Sequence, residues 1–81
     1  MILHFRLVEK SYQLEIKKFG LEVKRLREAN SITQQQLADS CEVDIRTIQR
    51  IERGDVSVGL QILFSLADAF KLRPYQLLEK I

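Results

Sequence analysis

Arg46, Gln49 and Arg50 stand three and four residues apart in the run Ile45-Arg46-Thr47-Ile48-Gln49-Arg50-Ile51-Glu52-Arg53. On a helix that spacing lines them up with Ile45 along one exposed face, while Ile48 and Ile51 turn inward. Basic and amide side chains thus occupy the face that is not apolar. Their chemistry is charge and hydrogen bonding, not bond making.

Nothing else in the chain supplies a reacting group. Cys41 is the only cysteine and His4 the only histidine. They form no nucleophile–base pair, because Cys41 falls on the core face of a helix and His4 is remote from it. No glycine-rich phosphate loop and no cluster of metal ligands is present. A disulfide framework and a cysteine-rich zinc site are excluded. The pattern therefore predicts no enzyme, no cofactor and no metal. Cys41 reads as a small buried apolar residue, and His4 as a solvated or partly packed imidazole.

Short helices must position the Arg46–Arg50 face. Thr33 is a good N-cap, with Gln36 three residues later in capping-box position. Leu37, Ala38 and Cys41 form the buried face of that helix. Asp44 caps the next one, which runs to about Arg53, and Gly54 supplies a left-handed stop. Upstream, a helix is secure from about Lys18 to Ala29, ended by Asn30-Ser31. Downstream, Asp55 to Val58 form a loop before Gly59 and a fourth helix, whose expected core stripe is Leu60, Leu63, Leu66, Ala67 and Phe70. Pro74 fits the first turn of a short fifth helix, with Leu77 and Leu78 packing back. The expected fold is all-α, five helices behind an N-terminal extension.

Residues 1–16 read differently from 17–81. Leu3, Phe5 and Leu7 alternate with His4 and Arg6, which is the period of a half-buried strand. Tyr12, Ile16, Phe19, Val23 and Leu26 instead follow a helical stripe. An extended or strand-like segment is expected near 2–8, with the helix beginning between 12 and 18.

With 81 residues the chain makes one small domain, for which oligomerisation or a very regular helical fold would help stability. One Pro and three Gly make it helix-friendly. The net charge is only +2, so affinity for a polyanion must come from where the charges sit. Met1 to Val8 is apolar but broken by His4 and Arg6. It has neither the length of a membrane span nor a signal-peptide cleavage site. No membrane partner is expected, and the cytoplasm is the default location.

Two short helices with a tight break, capped and stopped in this order, have the layout of a helix-turn-helix, in which one helix is held at a fixed angle to enter a DNA major groove. Residues 19–79, about three quarters of the chain, resemble the lambda-repressor-like, Cro-type (XRE-like) family. The resemblance rests on Phe19-Gly20, Val23, Leu26-Arg27, Thr33-Gln34, Leu37-Ala38, Val43, Ile48, Ile51-Glu52, Gly54, Leu60, Leu63, Leu66-Ala67, Phe70 and Leu77-Leu78. It implies that Ile45, Arg46, Gln49 and Arg50 reach base edges. Arg suits a bidentate contact with guanine and Gln one with adenine. Ile45 has two readings, packing on a thymine methyl or on its own neighbours. Gln34, Thr47 and Arg53 are the expected phosphate contacts, Gln34 favoured also by the helix N-terminus. The resemblance pairs Arg27 with Glu52 across the first and third helices, a pair that fixes an angle more than it adds net stability.

Three positions depart from the family pattern. Glu42 stands where the turn usually has Gly, Ser57-Val58-Gly59 replaces a loop that usually carries Pro, and Arg73 replaces a small polar cap. Glu42 weakens the match little, and neither of the other two changes touches the expected DNA face. The function implied is a sequence-specific regulator of transcription on double-stranded DNA, as a homodimer on a palindromic site. The other reading is a protein-interaction module, such as the antitoxin of a toxin–antitoxin pair, in which residues 1–16 bind a protein partner. The 1–16 segment, with Leu21 and Ile62, is expected to form a homodimer interface; the alternative is that Leu3, Phe5 and Leu7 cover the subunit's own helices.

Overall fold

In a computed structural model the chain folds as five helices: α1 (Ile2–Ala29), α2 (Gln34–Cys41), α3 (Ile45–Arg53), α4 (Leu60–Ala69) and α5 (Pro74–Leu78). The structure describes residues 2–81, with side chains from Tyr12 onward. No strand occurs among the described residues.

The expected extended segment near 2–8 is helix instead, continuous with the rest of α1. The reason lies in propagation. Once the Tyr12–Leu26 stripe has nucleated a helix, each added residue closes another backbone hydrogen bond at little cost. No Pro and no Gly stands between Ile2 and Phe19 to stop it. A five-residue alternation cannot compete without a neighbouring strand. The side chains of Leu3, His4, Phe5 and Leu7 lie outside the described residues.

Four helices end the same way. Ser31, Glu42, Gly54 and Lys71 take left-handed backbone angles, with φ of 56°, 56°, 75° and 57°. After α2, Glu42 N–H donates to Asp39 O at 3.2 Å and Val43 N–H to Ala38 O at 3.0 Å. After α3, Gly54 N–H donates to Ile51 O and Asp55 N–H to Arg50 O, both at 3.0 Å. This paired closure satisfies carbonyls that a helix end would otherwise orphan. Only one of the four left-handed positions is Gly.

The core gathers Phe19 and Val23 of α1, Leu37, Ala38 and Cys41 of α2, Ile48 and Ile51 of α3, Leu63, Leu66 and Ala67 of α4, Phe70, and Leu77 of α5. Two expected core residues fall outside it. Leu60 is 69% exposed and Leu78 47% exposed. Each sits at a helix end, Leu60 at the start of α4 and Leu78 at the end of α5. Ile62 packs against the core, while Leu21 stays exposed. Burial pushes the Cys41 thiol up from its ordinary pKa, which keeps it neutral and unreactive.

α1 and α3 meet at Gly20. A Cβ there would run into the carbonyl oxygen of Ile51 and sit 3.1 Å from that of Glu52. Only a glycine lets the two backbones come this close. That contact, one turn from the end of α3, sets the height at which α3 stands on the domain.

Candidate nucleic-acid interface

α2 and α3 begin as the sequence predicts. Thr33 Oγ1 accepts from Gln36 N–H at 3.0 Å, and Gln36 Oε1 accepts from Thr33 N–H at 2.9 Å, closing the capping box. Asp44 Oδ1 accepts from Arg46 N–H at 2.8 Å. The first-turn N–H groups of α2, those of Gln34 and Gln35, have no intrahelical acceptor and point off the end of the helix. Both caps are short-range, so α2 and α3 start at fixed residues, and the turn through Glu42 fixes the angle between them.

A buried ion pair ties α3 to α1. Arg27 Nε donates to Glu52 Oε2 at 2.6 Å and Arg27 Nη2 to Glu52 Oε1 at 3.2 Å. Arg27 Nη1 also donates to Ile32 O at 2.9 Å, holding the α1–α2 connection. The carboxylate is 4% exposed and the guanidinium 12%. The hydrogen bond to Glu52 raises the pKa of Arg27 above its already high ordinary value, so it stays charged. The fork geometry suits Arg alone among the cations.

Arg46 and Arg50 are exposed, while Ile45, Thr47 and Gln49 are half-buried. With about 100° of turn per residue, Arg50 lies about 40° to one side of Arg46 and Arg53 about 20° to the other. The outward ridge of α3 is thus Arg46, Arg50 and Arg53. Gln49 sits on a shoulder about 60° from Arg46, on the Glu52 side, and Thr47 on the opposite shoulder at about 100°. Arg53 pairs loosely with Asp55 at 3.2 Å, both well exposed. Ile45 packs against the core.

The geometry also links residues that sequence spacing left separate. Gln34 Nε2 donates to Glu52 Oε1 at 3.1 Å, and Gln49 Nε2 approaches Gln34 Oε1 at 3.5 Å. These partners are 18 and 15 residues apart, so their meeting depends on the α2–α3 angle. The only sequence signal was that Gln49 and Glu52 lie one helical turn apart.

The comparisons agree with this geometry. A family model described as "Helix-turn-helix" matches residues 23–77. The chain belongs to the helix-turn-helix family. It is a DNA-binding transcription regulator of that family. Among solved structures it is similar to the restriction-modification controller protein C.AhdI from Aeromonas hydrophila, at 30% identity and a TM-score of 0.78, over 82% of this chain and 96% of that one. It is also similar to ComR from Streptococcus suis, at 30% identity and a TM-score of 0.73, covering 82% of this chain but 22% of ComR. The clp gene regulator ClgR from Corynebacterium glutamicum shares the fold, at 22% identity and a TM-score of 0.76, over 79% of this chain and 68% of ClgR. No curated protein matches the chain. Among the described residues no helix is long and apolar enough to cross a membrane.

Proposed function

We propose that this regulator binds a palindromic duplex operator as a homodimer, with the α3 helices in two major grooves about 34 Å apart. The observation that carries the reading is the exposed pair Arg46 and Arg50 on an α3 anchored by Arg27 and Glu52. Nothing in the fold requires two guanidinium groups there. They read bases, guanine being the natural partner of each fork. Ile45 and Gln49 flank that ridge on the side of α2. Thr47 and Arg53, with the head of α2 at Gln34, hold phosphates and set register. The chain works in the cytoplasm with its DNA.

Apolar surface supports the second copy. Tyr12, Leu14 and Leu21 of α1 are each more than half exposed. On the other side of α1 from Leu14 and Leu21, Tyr12, Ile16, Val58, Leu63 and Ile81 border an open groove of about 380 Å³. A small domain seldom leaves such a surface without use. C.AhdI, a restriction-modification controller matched over 96% of its length, supports a regulator built on this domain.

The test is selection from a random duplex library at near-physiological salt, with Arg46→Ala/Arg50→Ala as control. The parent should enrich a palindrome with half-sites one helical turn apart. Each single variant should lose about 1–3 kcal/mol of discrimination at the selected site. If the double variant selects the same site with the same affinity, the reading face is wrong. If the parent selects nothing, the weight moves to a protein partner for residues 1–16, as in an antitoxin.

A further inference from the structure

We infer that Gln49 is a positioning residue for the DNA contact, holding the head of α2 against α3, and not a reader of bases. The inference rests on the DNA-binding reading above and assigns a role within that site. Two independent observations carry it. The first is angular: Gln49 lies on the α2-facing shoulder of α3 and is half-buried, while Arg46 and Arg50 occupy the exposed ridge. The second is a chain of hydrogen bonds with a single direction. Arg27 donates to Glu52, Gln34 Nε2 donates to Glu52 Oε1 at 3.1 Å, and Gln49 Nε2 reaches Gln34 Oε1 at 3.5 Å.

The direction is fixed by chemistry. A carboxylate facing a guanidinium can only accept, and both Glu52 oxygens take hydrogen bonds from Arg27. Gln34 must therefore turn its NH2 group inward to Glu52 and present its carbonyl to Gln49. Gln49 in turn must offer an N–H to that carbonyl. The buried charge thus sets the sense of two amides, out to the edge of the DNA face. Glu52 engages the Gln34 NH2 at 3.1 Å and Gln49 approaches its carbonyl at 3.5 Å, which orients that side chain at the first turn of α2. The phosphate-facing N–H groups of that turn are held in register with the arginine ridge. Such pre-organisation raises affinity without telling one base from another.

Two measurements on the full-length protein separate this role from base reading. The first needs no DNA. Side-chain amide NMR signals of Gln34 should shift and exchange faster with water in Gln49→Ala and in Gln49→Met, with backbone signals of the core unchanged. Unmoved Gln34 side-chain signals would overturn the inference whatever the protein binds. The second uses the selected duplex and its single-base variants. Gln49→Ala and Gln49→Met should weaken binding roughly two- to tenfold on every duplex alike, the worth of one hydrogen bond. The selected motif should stay unchanged. Gln34→Ala should weaken it similarly, and the double variant Gln34→Ala/Gln49→Ala should be no weaker than the worse single, since the two act as a unit. Loss of preference at one base pair in Gln49→Met, or full parental affinity, would overturn it. A parent that selects no duplex, with the NMR coupling intact, would count against the DNA reading and not against the amide chain.

Discussion

Glu52 is the residue on which the most depends. Its carboxylate is 4% exposed and takes hydrogen bonds from Arg27 and Gln34. Burying two opposite charges costs desolvation that their attraction only about returns, so the pair is weak evidence for stability and good evidence for a fixed angle. Breaking it is another matter, because the surviving charge stays buried without a partner. Glu52→Ala should destabilise the fold by about 3–5 kcal/mol. Replacing both partners together, Arg27→Met with Glu52→Met, should cost far less, since no charge is left unpaired. Chemical denaturation of the three proteins checks this. A double variant as unstable as Glu52→Ala would mean the pair supplies net stability. The pairing of Arg27 with Glu52 was legible in the sequence because the family resemblance covers both. The link from Glu52 through Gln34 to Gln49 was not. It joins residues 15 to 18 positions apart that only the crossing of α2 and α3 brings together.

At the scale of elements, what is local was legible and what needs a neighbour was not. Thr33 with Gln36, Asp44 and Gly54 each act within one turn of chain, and each is found in the expected role. The start of α1, and the exposure of Leu60 and Leu78, depend on what stands opposite, which periodicity cannot say. Two positions of the same helical scaffold should respond in opposite directions to a change of one side chain. Gly20 lies inside α1, where Ala has the better helix propensity by about 1 kcal/mol. Yet a Cβ there meets the backbone of α3 at Ile51 and Glu52. Backbone cannot step aside as a flexible side chain can, so overpacking wins. Gly20→Ala should destabilise by about 1–3 kcal/mol and tilt α3. Glu42 closes α2 at φ 56° with a Cβ that this conformation disfavours. Glu42→Gly should relieve about 1 kcal/mol of that strain, part of it offset by the entropy of glycine in the unfolded chain. Thermal unfolding of both variants decides it. A Gly20→Ala protein as stable as the parent would show that α1 and α3 are not in backbone contact.

For the whole molecule the formal net charge of +2 is small, so no broad field draws the protein to DNA. Attraction must be local, and α3 is where it concentrates. Its only acid, Glu52, is buried against Arg27, which leaves Arg46, Arg50 and Arg53 outward. Arg53 is the charged phosphate contact of the proposed site. Its pairing with Asp55 is exposed on both sides and adds little, so phosphate can take the guanidinium over at small cost. This makes salt dependence a counter of subunits. Each phosphate neutralised adds about −0.9 to the slope of log affinity against log salt. Removing Arg53 from one bound copy should therefore flatten the slope by about 0.9, and from two copies on a palindrome by about 1.8. Titrations of the parent and Arg53→Ala on the selected duplex, across a range of salt, read the difference directly. A change near 1.8 supports two α3 helices seated together. A change near 0.9 means that one copy occupies the site and the homodimer is wrong. An unchanged slope removes Arg53 from the phosphate contacts and moves the register-setting role to the neutral donors at Thr47 and the head of α2.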